Sequence, residues 1–582
     1  VLVFPKRNKK QTGRVLAVLN RKKNIFVGVV VSSSSNCFLL VDDRRVYFDV
    51  FIPPKKIQPK QLGKKVLVQV ESWSSKQKNP VGKIISIIGD VHEHNTEINS
   101  ILYDYGFSSS FPKKVVLAAS KIPDYISELE IKKRLDVRSD PTFTIDPEDA
   151  KDFDDALSVK LLENGNFLVG VHIADVSFYI PEGGVIDKEA VKRATSVYLV
   201  DRVVPMLPES LSNNLCSLKP NVDRLAYSVF FELTTAAKII QYKIEKTVIH
   251  SDFRFTYRSA QDVIDTSSGP FSKEILFLNR VAKKLRAKRK KEGSINFESK
   301  EVKFVLDKKN MPIDVSFKHL LSANHLIEEF MLLANKTVAS HIGFNKKTPS
   351  VYRVHDKPDR EKIAVLSNIV KGFGHSFNTS SKNLSSSLNA LLSAVKGKKE
   401  QRLVETLTVR SMAKAVYATN NIGHYGLAFK NYSHFTSPIR RYPDLIIHRI
   451  LEKQSLKNPP FSVGFLDDLC LHCSEQEKTA SKAERDSVKY MQVKFLKNRL
   501  GRVFLGVISG VTDWGLYVEL EDNLCEGLIK ISSLSDDHYV YNEKTHSLDG
   551  YRSKNSYQLG QTVKIKVAKA DLEKKQLDFV LV

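Results

Sequence analysis

Between residues 13 and 90 apolar and polar positions alternate in short runs, "GRVLAVLNRKKNIFVGVVV", "VYFDVFIP", "GKKVLVQV" and "VGKIISII", parted by polar turns. Period-two alternation predicts strands, and about five strands in so short a stretch predict a small closed barrel of the oligonucleotide-binding kind. Further along, "ALSVKLL" and "FLVGVHIADVSFYI" flank "ENGN", which predicts a hairpin with Asn164 and Gly165 at its turn. The spacing of apolar residues then changes to three and four in "FLNRVAKKLRAKRKK", "HLIEEFMLLANKTVASHI" and "QRLVETLTVRSMAKAVYA", the pattern of helices with one buried face. The serine-rich "NTSSKNLSSSLNALLSAV" reads as a loop leading into a helix. From residue 496 the β texture returns, in "GRVFLGVISGVTDWGLYVEL", "CEGLIKISSL" and "QTVKIKVAKADLEKKQLDFVLV", predicting a second five-stranded barrel.

The chain is therefore read as multidomain. An all-β barrel spans 13–90, a connecting region 91–137, an α+β domain 138–495 and a second all-β barrel 496–582. Residues 1–12 read as the tail of an upstream domain, since the chain opens at Val1 rather than Met. No stretch is apolar enough to span a bilayer and no charged-then-apolar leader opens the chain, so a cytoplasmic protein is expected. Five cysteines, an odd number in 582 residues, argue against a disulfide framework. Cys470 and Cys473 form a lone C-x-x-C with no second pair at zinc spacing, so they read as core residues.

Charge sharpens the picture. Lysine and arginine total 90 against 65 acids, a net charge of +25, and such an excess draws polyanions by releasing their counterions. Nucleic acid is the expected partner, and charge alone does not choose RNA over DNA.

Against that background "TIDPEDAKDFDDALSVK", residues 144–160, is anomalous, because it crowds carboxylates between apolar runs. Asp146, Asp152, Asp154 and Asp155 follow a D-x5-D-x-D-D spacing. Unpaired buried carboxylates are costly, so a cation must sit among them. Oxygen donors without histidine or thiolate favour a hard ion, Mg²⁺ with Mn²⁺ as the alternative. In a basic chain, such an ion suggests phosphodiester hydrolysis. A second constellation, "HYGLAFKNYSHFTSPIRRYPDLIIHR", sets Arg440 and Arg441 beside Thr436, Ser437 and Tyr442, and a planar guanidinium suits phosphate oxygens. Taken alone, paired arginines at a helix start read as surface residues.

At these residues the chain resembles the ribonuclease II (RNB) family. "TIDPEDAKDFDDA" resembles its metal-binding signature, "ATSVYLVDRVVPMLPESLSNNLCSL" its next block and "HFTSPIRRYPDLIIHR" its third, in order along the chain. The resemblance implies a processive exoribonuclease, dependent on Mg²⁺ or Mn²⁺, that shortens single-stranded and structured RNA from the 3′ end to nucleoside 5′-monophosphates. It implies an α+β RNB catalytic domain flanked by all-β OB-fold barrels, cold-shock-type at the N-terminus and ribosomal S-one-type at the C-terminus. It further implies a cytoplasmic monomer, with ribosome or degradation-complex association left open.

Carried over residue by residue, Asp146, Asp152, Asp154 and Asp155 are expected to bind metal, with Asp154 and Asp155 activating water. Arg440 is expected to contact the scissile phosphate beside Arg441. Tyr198 in "TSVY" would stack on the terminal nucleotide, with Phe297 in "SINFES" as its aromatic partner; without the resemblance, Tyr198 reads as a core aromatic. Glu484 is placed near the RNA path, and Phe504, Trp514, Tyr517, Lys530 and His538 on the RNA face of the last barrel. A catalytically silent RNA-binding regulator of the same fold is the competing reading. A broken acidic cluster would be its mark, and all four aspartates are present.

Overall fold

The computed structural model describes residues 2–3, 13–14, 16, 21, 23–33, 36–43, 45–74, 78–295, 301–318, 320–344, 348–380, 384–398, 400–454, 461–543 and 545–582. The chain divides into two compact units, residues 1–109 with 572–574, and residues 110–571 with 575–582.

In the first unit, strands Ile25–Ser33, Asn36–Val41, Val50–Ile52, Val81–Asp90 and Lys64–Ser72 close into a barrel in that order. Phe26, Val30, Leu39, Val50, Ile52, Val66 and Val68 fill it. The barrel begins at Ile25 rather than at residue 13. Its first strand is already bonded on both sides, to Asn36–Val41 and to Lys64–Ser72, and Gly13–Arg14 pairs instead with Leu2–Val3. Gly28 is required where it stands, because a Cβ there would lie 2.0 Å from the Leu40 carbonyl oxygen. Buried Lys65 is answered by Asp42 at 2.9 Å and Glu97 at 2.7 Å. Arg21 stacks over the Trp73 ring at 3.9 Å, and Trp73 meets Phe48 at 4.4 Å.

The second unit is built on a seven-stranded sheet, ordered Phe253–Thr256, Thr142–Asp146, Asp155–Leu161, Phe167–Ala174, Asp223–Leu233, Ile239–His250, Leu135–Asp136. Pairing is parallel at both ends and antiparallel between. Thr142–Asp146 is buried at every residue, as a strand covered on both faces must be. The predicted hairpin is present, with Gly165 at φ +78° in its turn.

Helices Ser272–Lys291, Ser322–Phe344, Tyr442–Lys453 and Val463–Lys497 pack around this sheet. Cys470 and Cys473 are buried in the last of them. In the basic segment of Ser272–Lys291, Arg289 is buried and paired with Glu329, while Lys283, Lys288 and Lys290 are exposed. The helix predicted over "QRLVETLTVRSMAKAVYA" stops at Ser411. Met412 turns extended, and Val416–Ala418 pairs with Tyr352–Val354 as a strand, so tertiary pairing overrides the local pattern. Strands Val503–Thr512, Gly515–Leu520, Glu526–Lys530, Gln576–Leu581 and Thr562–Asp571 close the C-terminal barrel. Tyr539–Asn542, Ser547–Gly550 and Ser556–Gln558 form a separate small sheet that the sequence pattern did not predict. Among the described residues, no helix is long and apolar enough to cross a membrane.

Candidate active site

Asp146 ends one strand and Asp155 begins its antiparallel neighbour, so both carboxylates arise at the same end of the sheet. The connection between them is bonded down from distant chain. Phe153 N–H donates to Ser217 Oγ at 3.0 Å, and that hydroxyl donates to the Lys151 carbonyl at 2.9 Å. Leu218 N–H donates to the Phe153 carbonyl, and Ala174 N–H to the Asp154 carbonyl, both at 2.9 Å. Arg254 Nη2 donates to the Glu148 carbonyl at 2.9 Å. With its backbone fixed, the loop anchors Phe153 in the core and sets Asp152 and Asp154 where their charges act on Asp146.

Burial raises all four acids from the ordinary carboxylate value. Asp154 is pushed up to about 8 by burial, against the pull of Arg440 and of the Ile439 N–H. Asp155 is raised by burial and then by the charge of Asp146. Asp146 is raised by burial and by Asp154 and Asp152, against Thr144 and Arg254. Asp152 is raised by burial, against backbone N–H donors and Arg440.

Buried acids that repel one another invite a cation, and Asp146 Oδ2 is buried without any hydrogen-bond partner. Among the described residues, no group of three or more His, Cys, Asp or Glu side chains is gathered tightly enough to form a complete metal cage. Mg²⁺ does not need one, since it is typically held by one or two carboxylates together with water and substrate phosphate. The donor set therefore fits a hard divalent ion completed by substrate, with Asp146 and Asp155 at the same end of neighbouring strands and Asp146 acting on Asp155 electrostatically.

Arg440 arrives from the other end of the chain. Its Nε lies 3.3 Å from Asp154 Oδ2, and Ile439 N–H donates to Asp154 Oδ1 at 3.0 Å. Arg440 Nη2 donates to Ser437 Oγ at 3.0 Å, which fixes the fork. The turn carrying it is held by Asp444, whose Oδ1 accepts from Ser437 N–H and from Arg441 Nη2, both at 2.8 Å. Arg441 Nη2 is thereby engaged by Asp444, while its Nε is buried without a hydrogen-bond partner and its charge acts on Asp155.

The Tyr198 segment is stitched to the same turn. Helix Val185–Arg193 ends with Ala194 at φ +58°. Beyond it, Ser196 N–H donates to the Arg440 carbonyl at 3.0 Å, and Tyr442 N–H to the Ala194 carbonyl at 2.9 Å. Tyr198 is thereby set beside Arg440, Asp152 and Asp154 with 39% of its surface exposed, so it is not a core aromatic. Tyr257, which the sequence reading missed, faces Asp155, Asp146 and Arg440 electrostatically. Only the parallel pairing of Thr256 with Asp146 puts it there, and nothing local marks it. Ser217 and Arg254 likewise act on the loop from distant chain, whereas Asp444 lies within the quoted arginine motif, three residues beyond Arg441, and was passed over there.

Other expected residues lie elsewhere. Phe297 falls outside the described residues. Glu484 is exposed on helix Val463–Lys497. In the last barrel, Trp514 Nε1–H donates to the Tyr517 hydroxyl at 3.2 Å, and Trp514 is 54% exposed. Lys530 pairs with Asp578 at 2.8 Å, and His538 is exposed. Phe504, expected on the RNA face, is half-buried opposite the fully buried Ile565, so the pleat directs it inward.

An acid cluster and an arginine at one end of a central sheet, with small barrels on either side in sequence, define a class of metal-dependent nuclease. Comparison with known proteins makes it specific. The RNB domain family matches residues 134–457, the cold shock domain residues 38–112 and the S1 RNA binding domain residues 497–581. Ribonuclease R of Aquifex aeolicus is 36% identical over 583 residues, covering 98% of this chain and 82% of that one. The structure of Mycoplasma genitalium RNase R in complex with ribose methylated single-stranded RNA superposes with a TM-score of 0.92 at 27% identity, covering 100% of this chain and 93% of that one. The same protein in complex with double-stranded RNA gives 0.86 at 25% identity, covering 98% and 97%. The chain belongs to the RNB family, as a ribonuclease R homologue and a hydrolytic exoribonuclease. Nucleases of this family are generally metal-dependent.

Proposed function

We propose that this chain shortens RNA processively from its 3′ end, through single-stranded and structured regions, releasing nucleoside 5′-monophosphates. The observation that carries the reading is the meeting of buried Asp146 and Asp154 and half-buried Asp155 with Arg440 beside the exposed ring of Tyr198. RNA as substrate is supported by the Mycoplasma genitalium complexes with both single- and double-stranded RNA.

In this reading Asp146 and Asp155, flanked by Asp152 and Asp154, would hold Mg²⁺. Bound there, the ion would polarise the phosphate and make water more acidic. Asp154 keeps Arg440 aligned through Nε, while Ser437 orients the fork, so that the guanidinium can meet charge building on the phosphate oxygens. Asp154 and Asp155 would orient the attacking water beside the ion. Tyr198 offers a π-face to the terminal base, which is tolerant of sequence.

A 5′-labelled RNA hairpin with a 3′ single-stranded overhang tests this, incubated with Mg²⁺ or with chelator beside a DNA control. Metal-dependent shortening through the stem to a very short 5′ fragment, with DNA spared, is the expected result. Arrest at the base of the stem would remove structured RNA from the substrate range. Binding without shortening would favour the regulator.

A further inference from the structure

Behind the acidic loop lies a cleft that the reaction above does not use. It measures about 530 Å³ and is lined by Ala150, Lys151, Phe153, Lys219, Pro220 and Arg254. That volume falls within the roughly 300–1,000 Å³ usual for small-molecule sites. Phe153 stands between Asp152 and Asp154 in the chain, so one short segment forms a wall of both the cleft and the acid cluster.

The lining has a definite chemistry. Ala150, Phe153 and Pro220 give an apolar surface, with the Arg254 guanidinium 5.5 Å from the centre of the Phe153 ring. Three cations border it, and among the described residues no carboxylate closes an ion pair with any of them. The Lys219 ammonium meets the neutral amide oxygen of Asn214 at 3.2 Å. Arg254 spends Nη2 on loop carbonyls, while its Nε has no acceptor. Lys151 and Lys219 beside an apolar floor, with Arg254 shared between the loop carbonyls and Asp146, suit an anion that carries a flat ring.

We propose that this cleft binds a nucleoside 5′-monophosphate, its phosphate against Lys219 and its base on the apolar floor. The inference rests on the exoribonuclease reading, because hydrolysis at the acid cluster generates this ligand at the loop that also lines the cleft. Arg254 ties the cleft to the acid cluster. It bonds the Pro147 and Glu148 carbonyls and faces Asp146 electrostatically, so an anion beside it bears on the acid cluster. Accumulated product then slows the enzyme without competing for the RNA 3′ end.

The test measures binding of adenosine 5′-monophosphate to the full chain by calorimetry in chelator, and its inhibition of RNA shortening in Mg²⁺. In the Lys219→Glu variant, affinity should fall at least tenfold and inhibition should be relieved, while the initial rate without added mononucleotide is kept. Unchanged affinity in that variant would overturn the proposal. So would loss of binding in Tyr198→Ala alone, which would put the mononucleotide at the RNA site. Inorganic phosphate binding as tightly as the mononucleotide would overturn the nucleoside assignment. Wild-type enzyme that shortens RNA but binds no mononucleotide sinks this inference alone, whereas failure to shorten RNA sinks the reading beneath it.

Discussion

Arg440 Nε sits 3.3 Å from Asp154 Oδ2, although 286 residues separate them in the chain. The contact joins the two segments that the sequence marks most strongly, and it makes each dependent on the other. Without Arg440, Asp154 keeps one backbone donor and loses its nearest positive charge.

Replacement of Arg440 by alanine should therefore slow the chemical step by about 10²–10³, the range for removing one oriented donor to developing charge. Affinity for RNA should change far less, because many other cations contribute. Single-turnover rates beside equilibrium binding would show the split, and a loss confined to binding would argue against a role at the phosphate.

The acids make a prediction about stability. Groups whose folded pKa is raised stabilise the fold fully below about pH 4, and this contribution is lost as pH rises through the folded value, about 8 for Asp154. Metal-free protein at pH 8 thus carries strained carboxylates. Asp155→Asn should abolish turnover yet raise the metal-free unfolding free energy at pH 8 by on the order of 1 kcal/mol or more, read as a higher thermal midpoint. The gain should vanish near pH 4, and Mg²⁺ should stabilise wild type but not the variant. A variant less stable than wild type at pH 8 would contradict this electrostatic account.

Two buried histidines act in the opposite sense. Burial lowers His172 and His424 to about 3, and the His172 ring nitrogens are held by Ser228 at 2.7 Å and Ser158 at 2.8 Å. Unfolding frees these imidazoles to protonate, so their contribution is intact above about pH 6.5 and drains away as pH falls toward 3. Each adds a slope of up to about 1.4 kcal/mol per pH unit. Urea unfolding of wild type and His172→Gln between pH 7 and pH 4 should show a shallower dependence in the variant, and parallel curves would refute it.

Tyr198→Ala should weaken the grip on short RNA by about 1–3 kcal/mol, the usual worth of one stacked base. The smallest end product should lengthen, which high-resolution gels would reveal. An unchanged end product would remove Tyr198 from the path of the 3′ terminus.

Much of this was legible in the chain itself, and the boundary is physical. Both barrels, the hairpin at Gly165 and the four aspartates are local signals, carried by period, turn residues and close spacing. Ser217, Arg254 and Tyr257 are not, because parallel pairing and long-range hydrogen bonds bring them to the loop and leave no trace nearby in sequence. The helix pattern through Met412 misled for a related reason, since pairing with Tyr352–Val354 decides the state of Val416–Ala418. Phe504 shows a third limit, in that an aromatic in a strand does not announce which face it takes. Residues 134–457 and both flanking barrels became specific only when family likeness joined the motifs in order.

The two backbone bonds that stitch Ser196 to Arg440 and Tyr442 to Ala194 bear on the timing of synthesis. Translation delivers the carboxylates and Tyr198 first, and at about 5–20 residues per second the arginine turn follows on the order of tens of seconds later. During that interval the partly made chain has acids without their guanidinium and an aromatic strand without its anchor. The long-range pairing of Asp154 with Arg440 thus cannot form until the last third of the polypeptide has been made, which puts completion of this cluster among the late events of synthesis.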